Sequence, residues 1–332
     1  MKCFDNHLEE LFGLPALLFP QTGEAAGPVE PGAVAWRIGY PRWEVDEELW
    51  NETFDRFCAE IDVTQVRALI AGNWEDMEDT DSSEVVAALL AAREQLPALR
   101  ALFLGDITEE ECKFSRIHQS DVSPLLAAFP ALEEFGMRAG VRDDQGQTGG
   151  TLQFPALRHD ALRRLVVQSC ELPVDIVRGV AASDLPALEH LELWLGSEEY
   201  GFRCEVTDLE DILSGTRLPR LRHLALTNSD LQDDIATAVA SAPVIAQLEV
   251  LDLSKGTLGD EGAAALLSGQ PLTHLKQLDL HHNFISKPFR QRLRETLEPA
   301  GVHVNLGTEK SDKDERNIHE DRYICLGALT HW

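Results

Sequence analysis

The stretch LKQLDLHHNFI, residues 275–285, decides the fold. Its leucines stand at Leu275, Leu278 and Leu280. The same Leu-x-x-Leu-x-Leu spacing returns in LEVLDL from Leu248, LRHLAL from Leu221 and LRALFL from Leu99. Looser copies are VRALIA from Val66, LEEFGM from Leu132, LRRLVV from Leu162 and LEHLEL from Leu188. Successive starts lie 33, 33, 30, 26, 33, 27 and 27 residues apart, which is the arithmetic of a repeat with short insertions. A proline break precedes most copies, as in LPAL at Leu96, FPAL at Phe129, LPAL at Leu185 and LPRL at Leu218.

Side chains alternate along a strand, so the fourth and sixth positions of each copy point to one side and face a core. The rest of each unit must return the chain. Helical patterns mark several returns: SSEVVAALLAAREQ, VSPLLAAF, VTDLEDIL, QDDIATAVASA, GDEGAAALLSG and SKPFRQRLRETL. Asp81 with Glu84 and Thr207 with Glu210 have capping-box spacing, and Ser286 is placed to cap a helix ahead of Pro288. One strand and one helix cannot cover their own apolar face, so neighbouring units must stack. This predicts an α/β fold: a curved solenoid with a parallel sheet on the concave side and helices on the convex side.

The pattern resembles the leucine-rich-repeat superfamily, and its longer helical units are similar to the ribonuclease-inhibitor-like branch. In LKQLDLHHNFI, Asn283 stands at the family's asparagine position and Ile285 at the following apolar one. LEVLDLSKGTL has Gly256 and Leu258 there, LRHLALTNSDL has Ser229 and Leu231, and LRRLVVQSCEL has Cys170 and Leu172. The resemblance spans roughly residues 60 to 305 and implies a horseshoe that binds along one face. Proteins of this fold bind many unrelated partners and few are enzymes, so it points to protein or peptide binding without naming a target.

Outside the repeats, residues 1–32 read as an irregular leader and 33–65 as an N-terminal cap, with VAWRI as a strand and EELWNETFDRFCAEI as a helix. The solenoid takes 66–307 and ends in a strand at VHVNL; 308–332 read as a polar tail with a C-terminal cap in YICLGALTHW. The leader lacks a basic start and a continuous apolar run, no segment has the ~20 apolar residues that span a bilayer, and the six cysteines are scattered. These features predict a cytoplasmic protein with no membrane partner. With 57 acidic and 29 basic residues the formal net charge is −28, which disfavours nucleic acid and favours a partner with a basic surface. The same charge also serves solubility. A monomer or weak oligomer is expected.

Positions three, five and seven of each copy should point away from the packed leucines. They place Ile70 and Phe103 in an apolar N-terminal patch and His190, Glu192, Trp194, His223, Asp252 and Asp279 in a polar C-terminal lane. Trp194 either anchors a partner or packs beneath the GSEEYGFRCEV loop that follows it. Asp252 and Asp279 should lie on neighbouring strands about 5 Å apart, where two like charges form a receptor for lysine or arginine or remain solvated. Long loops add a rim, with Tyr200, Phe202 and Arg203 as contacts.

The lane also supports an alternative, a small hydrolase or transferase in which carboxylates and histidines divide acid and base roles. No HExxH, GxSxG or glycine-rich phosphate loop accompanies it, the adjacent His281 and His282 alternate sides, and no cofactor, metal or catalytic set is assigned, which weighs against an enzyme. A third reading is a structural subunit in an assembly.

Overall fold

The computed structural model describes residues 6–24, 27–39, 48–74, 80–140, 152–197 and 204–307. They divide into two compact units. The N-unit is residues 4–155 with 159–167; the C-unit is residues 156–158 with 168–332.

In the N-unit, strands β1 (Glu10–Leu11) and β2 (Leu14–Leu18) form an antiparallel hairpin. Then follow β3 (Ala35–Ile38), α1 (Trp50–Glu60), β4 (Ala68–Ala71), α2 (Ser83–Ala91), β5 (Ala101–Leu104), α3 (Ser123–Ala128) and β6 (Glu134–Ala139). From β2 to β6 each strand pairs parallel with the next. Strand β7 (Arg164–Ser169) starts in this unit and ends in the C-unit. The C-unit continues with α4 (Val174–Ala182), β8 (His190–Gly196), α5 (Glu210–Ser214), β9 (His223–Ser229), α6 (Gln232–Val239), β10 (Val250–Asp252), α7 (Asp260–Ser268), β11 (Gln277–Asp279), α8 (Lys287–Leu297) and β12 (His303–Asn305). Strands β8 to β12 are parallel and in repeat register, with Leu224, Leu251 and Leu278 level with one another. This is the strand-and-helix solenoid that the leucine spacing predicts.

Burial shows why the spacing is obeyed. The fourth-position residues Leu69, Leu102, Phe135, Leu165, Leu191, Leu224, Leu251 and Leu278 are all at most 2% exposed. The first and sixth positions are at most 3% exposed, from Val66 and Ala71 to Leu275 and Leu280. Each buried leucine contributes roughly 1.5–3 kcal/mol, available only when a neighbouring repeat covers it.

The expected strand at 34–38, the helix at 47–61 and the terminal strand at 302–306 are present as β3, α1 and β12. Within residues 1–32 the structure adds the two strands of a hairpin, β1 and β2, joined by a turn at Phe12 and Gly13, and β2 extends the parallel sheet by pairing with β3. Helix α4 carried no clear mark in the sequence, because VDIVRGVAA combines β-branched residues with Gly179, both poor helix formers, and tertiary burial of Ile176, Val177 and Val180 decides it. The capping pair near 207 sits two residues earlier, with the Glu205 N–H bonded to Asp208 Oδ2 at 2.8 Å. Residues 308–332, with the expected C-terminal cap, lie outside the described residues.

Turns after the strands need buried backbone groups satisfied. Asn283 does this by donating from Nδ2 to Leu253 O (2.8 Å) and Leu280 O (3.1 Å) and accepting from Leu258 N (3.1 Å). Where Ser229 replaces the asparagine, Gln232 takes over the task three residues later, donating from Nε2 to Leu226 O at 2.8 Å. Several carboxylates have the same structural duty. Asp233 accepts from the N–H groups of Gly259 and Gly262, and Asp260 accepts from Ser286 N. Each ties the start of one helix to the turn of the following repeat, so part of the acidic excess is capping rather than recognition.

Asn283→Ala leaves buried carbonyls and an N–H without partners, and should lower unfolding stability by about 2–4 kcal/mol in a urea titration, while Asn305→Ala should cost less.

Candidate protein-binding face

The sheet face opposite the helices carries the third, fifth and seventh positions. In the N-unit this face is already covered. The chain before β2 crosses it, and Leu11 is buried in a cluster with Ala35, Ala68, Ile70, Ala101 and Phe103, joined by Leu8, Phe12, Leu14 and Ala16. Ile70 is 0% and Phe103 4% exposed, so the apolar patch expected to meet a partner meets this protein's own N-terminal segment instead. The sequence held a signal for this in the density of apolar residues in HLEELFGLPALL, of which Leu8, Leu11, Phe12, Leu14 and Ala16 pack on the cluster.

Beside the cluster is a buried ionic centre that sequence reasoning missed, because its members are scattered over residues 7 to 138. Asp106 follows β5 and is 0% exposed. Arg37 Nη2 approaches its Oδ2 to 2.6 Å and Arg138 Nη1 its Oδ1 to 3.1 Å. Leu8 N–H donates to the same carboxylate at 3.1 and 3.2 Å. His7 bridges Asp106 and Glu111, its ring nitrogens 3.4 and 3.5 Å from their oxygens. Burial would raise the Asp106 pKa, but His7 and the charges of Arg138 and Arg37 overcome it and hold the carboxyl below its usual range. Hydrogen bonds to Asp106 and Glu111 raise His7 to about 9, against a smaller opposing effect of burial.

The C-unit presents the polar lane. Asp252 and Asp279 are register neighbours on β10 and β11, as the repeat spacing predicts. Asp252 is half-buried, whereas Asp279 is 7% exposed. Asp279 is well supported, accepting from His281 N at 3.1 Å and Asn305 Nδ2 at 3.0 Å, with His281 Nδ1 2.6 Å away. These contacts outweigh its burial and keep its pKa below the ordinary value. Asp252 accepts from Ser254 N–H at 2.9 Å, and no arginine or lysine nitrogen lies within 4.0 Å of it among the described residues. Burial, then the charge of Asp279, pushes its carboxyl up to about 6.

Trp194 is 2% exposed, which takes it out of the role of an open anchor. Its Nε1–H donates to Glu192 Oε1 at 2.7 Å, and the Lys255 ammonium lies over its ring at 3.8 Å from the centroid. Burial alone would raise the Glu192 pKa; the adjoining His190 and Trp194 donors and the Lys255 charge bring it to about 2. Lys255 has φ 64°. The equivalent residues of the neighbouring repeats, Asn228 and His282, also have positive φ, and lysine is poorly suited to that conformation. The strained turn aims the ammonium at the lane, where burial lowers its pKa against the opposing charges of Glu192, Asp252 and Asp279. His190 and His223 sit level on β8 and β9 with ring centroids 3.9 Å apart. Thus the structure brings His190, Glu192, Trp194, His223, Asp252 and Asp279 onto one face and adds Lys255. Tyr200, Phe202 and Arg203 lie outside the described residues.

Among the described residues no group of three His, Cys, Asp or Glu is arranged to hold a metal ion. A cavity of about 600 Å³ lies on the helix side, lined by Lys287, Arg290, Gln291, Arg294 and Glu295, away from the lane. No helix among the described residues is long and apolar enough to cross a membrane.

Residues 247–267, covering β10 and most of α7, match the Leucine Rich repeat family model. The crystal structure of a Bacteroides fragilis protein, a structural-genomics target, is similar with a TM-score of 0.70 and 27% identity, covering 83% of this chain and 73% of that one. No curated protein matches. The repeat motif and the fold match place the chain in the broad leucine-rich-repeat superfamily, a fold compatible with binding protein or peptide on its surface.

Two outcomes follow from the charges. A carboxyl whose folded pKa is raised costs stability as pH rises from about 4 through about 6, because the folded state then resists losing the proton. Asp252→Asn should therefore gain on wild type between pH 4 and pH 7 in urea unfolding, by on the order of 1–3 kcal/mol. His7 behaves oppositely: its contribution is complete below about 6.5 and is lost as pH rises through about 9. Limited proteolysis within residues 6–15 should accelerate from pH 6.5 to 9.5 more in wild type than in His7→Gln.

Proposed function

We propose that this protein is a binding module that takes a basic segment of a partner protein on the free face of the C-unit. The observation that carries this reading is Asp252, a half-buried carboxylate beside a second carboxylate, with no lysine or arginine nitrogen within 4.0 Å among the described residues. A partner lysine or arginine placed there would relieve the Asp252–Asp279 repulsion and gain a charge-assisted hydrogen bond. Glu192, His190 and His223 extend the polar lane along the strands, while Trp194 and Lys255 form its fixed wall. Lys255 also makes the site selective, since a cation must approach from the Asp252 side to avoid the ammonium already stacked on the indole.

We keep the ribonuclease-inhibitor-like branch as a resemblance of the longer helical units in the sequence, and it supplies no target. We further place the protein in the cytoplasm as a monomer or weak oligomer. The scattered spacing of the six cysteines supports a reducing compartment, and burial pushes the Cys58 and Cys204 thiols up to about 11 and 12.

The test is calorimetric titration with a Lys/Arg-rich dodecapeptide. Asp252→Asn with Asp279→Asn should weaken binding at least about tenfold, or 1.4 kcal/mol. Removing two charges of a net −28 elsewhere, through Glu295→Gln with Glu298→Gln, should change it far less. Equal effects of the two pairs would reduce the interaction to general electrostatic attraction and reject the site.

A further inference from the structure

The segment lying over the N-unit is held as a bound peptide is held. Its tether to the unit is fixed at Phe19, 0% exposed, which packs edge-on against Trp36 and Phe57 at 6.1 and 5.2 Å between ring centroids. Ahead of that anchor, the face reads backbone as well as side chains. Asp106 accepts the N–H of Leu8, Arg37 Nη2 donates to the carbonyl of the same residue at 2.5 Å, and Glu134 Oε2 accepts the N–H of Phe12 at 2.8 Å. Between these clamps Leu11 enters the apolar patch of Ile70 and Phe103. Polar clamps on a backbone with a leucine buried between them are the elements of peptide recognition.

The groove keeps its two guanidinium partners for Asp106 when this occupant leaves, losing the His7 contacts to Asp106 and Glu111 and the Leu8 backbone contacts to Asp106 and Arg37. Asp106 remains paired with Arg37 and Arg138, which come from β3 and β6, and Arg138 Nη1 also donates to Ile107 O at 3.0 Å. An ionic floor held together by Arg37 and Arg138 is preorganised for a segment that restores the contacts of His7 and Leu8. The occupant, by contrast, is strained: Phe12 and Gly13 adopt φ 58° and 65° at the hairpin tip, where a bulky residue is unfavourable. Release of the segment removes that strain and exposes a finished binding surface.

We propose that the N-unit face is a peptide-recognition groove, occupied in the free protein by the chain's own His7–Leu14, which accepts in its place a partner segment presenting the same leucine and backbone groups. This inference is independent of the basic-segment site on the C-unit. Because the native segment is tethered, it competes at an effective concentration of the order of millimolar, and a partner of ordinary affinity gains access only when the tether's hold is loosened.

The test uses the full chain and a fluorescent peptide of residues 5–16, DNHLEELFGLPA. Leu11→Ala in the protein loosens the native segment and leaves the groove intact, so it should bind the peptide at least about tenfold more tightly than wild type does by fluorescence polarisation. A peptide carrying the same Leu11→Ala change should lose that binding. A Leu11→Ala protein with wild-type circular dichroism that binds no better than wild type would overturn the proposal. Hydrogen exchange in the unaltered protein gives a second decision: the Leu8 and Phe12 amides should exchange at least tenfold faster than those of Leu69 and Leu102, and equal rates, meaning release only by global unfolding, would overturn it.

Discussion

Everything in this structure depends on the inability of one strand and one helix to cover the leucines between them. The first, fourth and sixth positions of every repeat are dry only because the next repeat closes over them, so each unit fixes the register of its neighbour. That constraint propagates to the polar groups. Once the strands are parallel and level, the turns that follow them lie side by side, and buried backbone groups there must find partners from an adjacent turn. Asn283, Gln232, Asp233 and Asp260 are the answers this chain uses.

The same stacking creates a second face on which residues from distant parts of the sequence become neighbours. The free sheet face of each unit is used differently. Over the N-unit, the chain's own N-terminal segment seals the apolar patch, with a buried carboxylate held between two guanidinium groups as its polar anchor. On the C-unit the face stays polar, and Lys255 supplies an internal cation that stacks on Trp194 without touching Asp252. In both places the obvious ligand chemistry, an apolar side chain in one and a lysine in the other, is partly provided in cis. In the binding modes proposed above, specificity rests on what remains unmatched, chiefly the Asp252 carboxylate, and on what can be exchanged.

The legibility of these features follows their distance in sequence. The strand pairing of Asp252 with Asp279 was readable because both occupy the same place in consecutive repeats. The fate of Trp194 was not: its alternation placed it correctly on the free face, yet its burial depends on Glu192 and Lys255, and a lysine in a left-handed turn has no sequence mark. Ile70 and Phe103 were correctly placed on the strand face, but the segment covering them lies more than fifty residues away in the chain. The Asp106 centre joins His7, Arg37, Glu111 and Arg138, whose spacing follows no period at all.

Sequence alone therefore determined the repeat, the parallel strand order within each unit, the core positions and the face each side chain would occupy, because leucine burial and strand alternation are local rules repeated many times. Tertiary structure decided which parts of the free face are open. That outcome turns on single, nonrepeating contacts: a hairpin folded back over β3 to β6, and one ammonium aimed by a strained turn. Their energies depend on burial and on charges brought close by the fold, and neither exists along an extended chain.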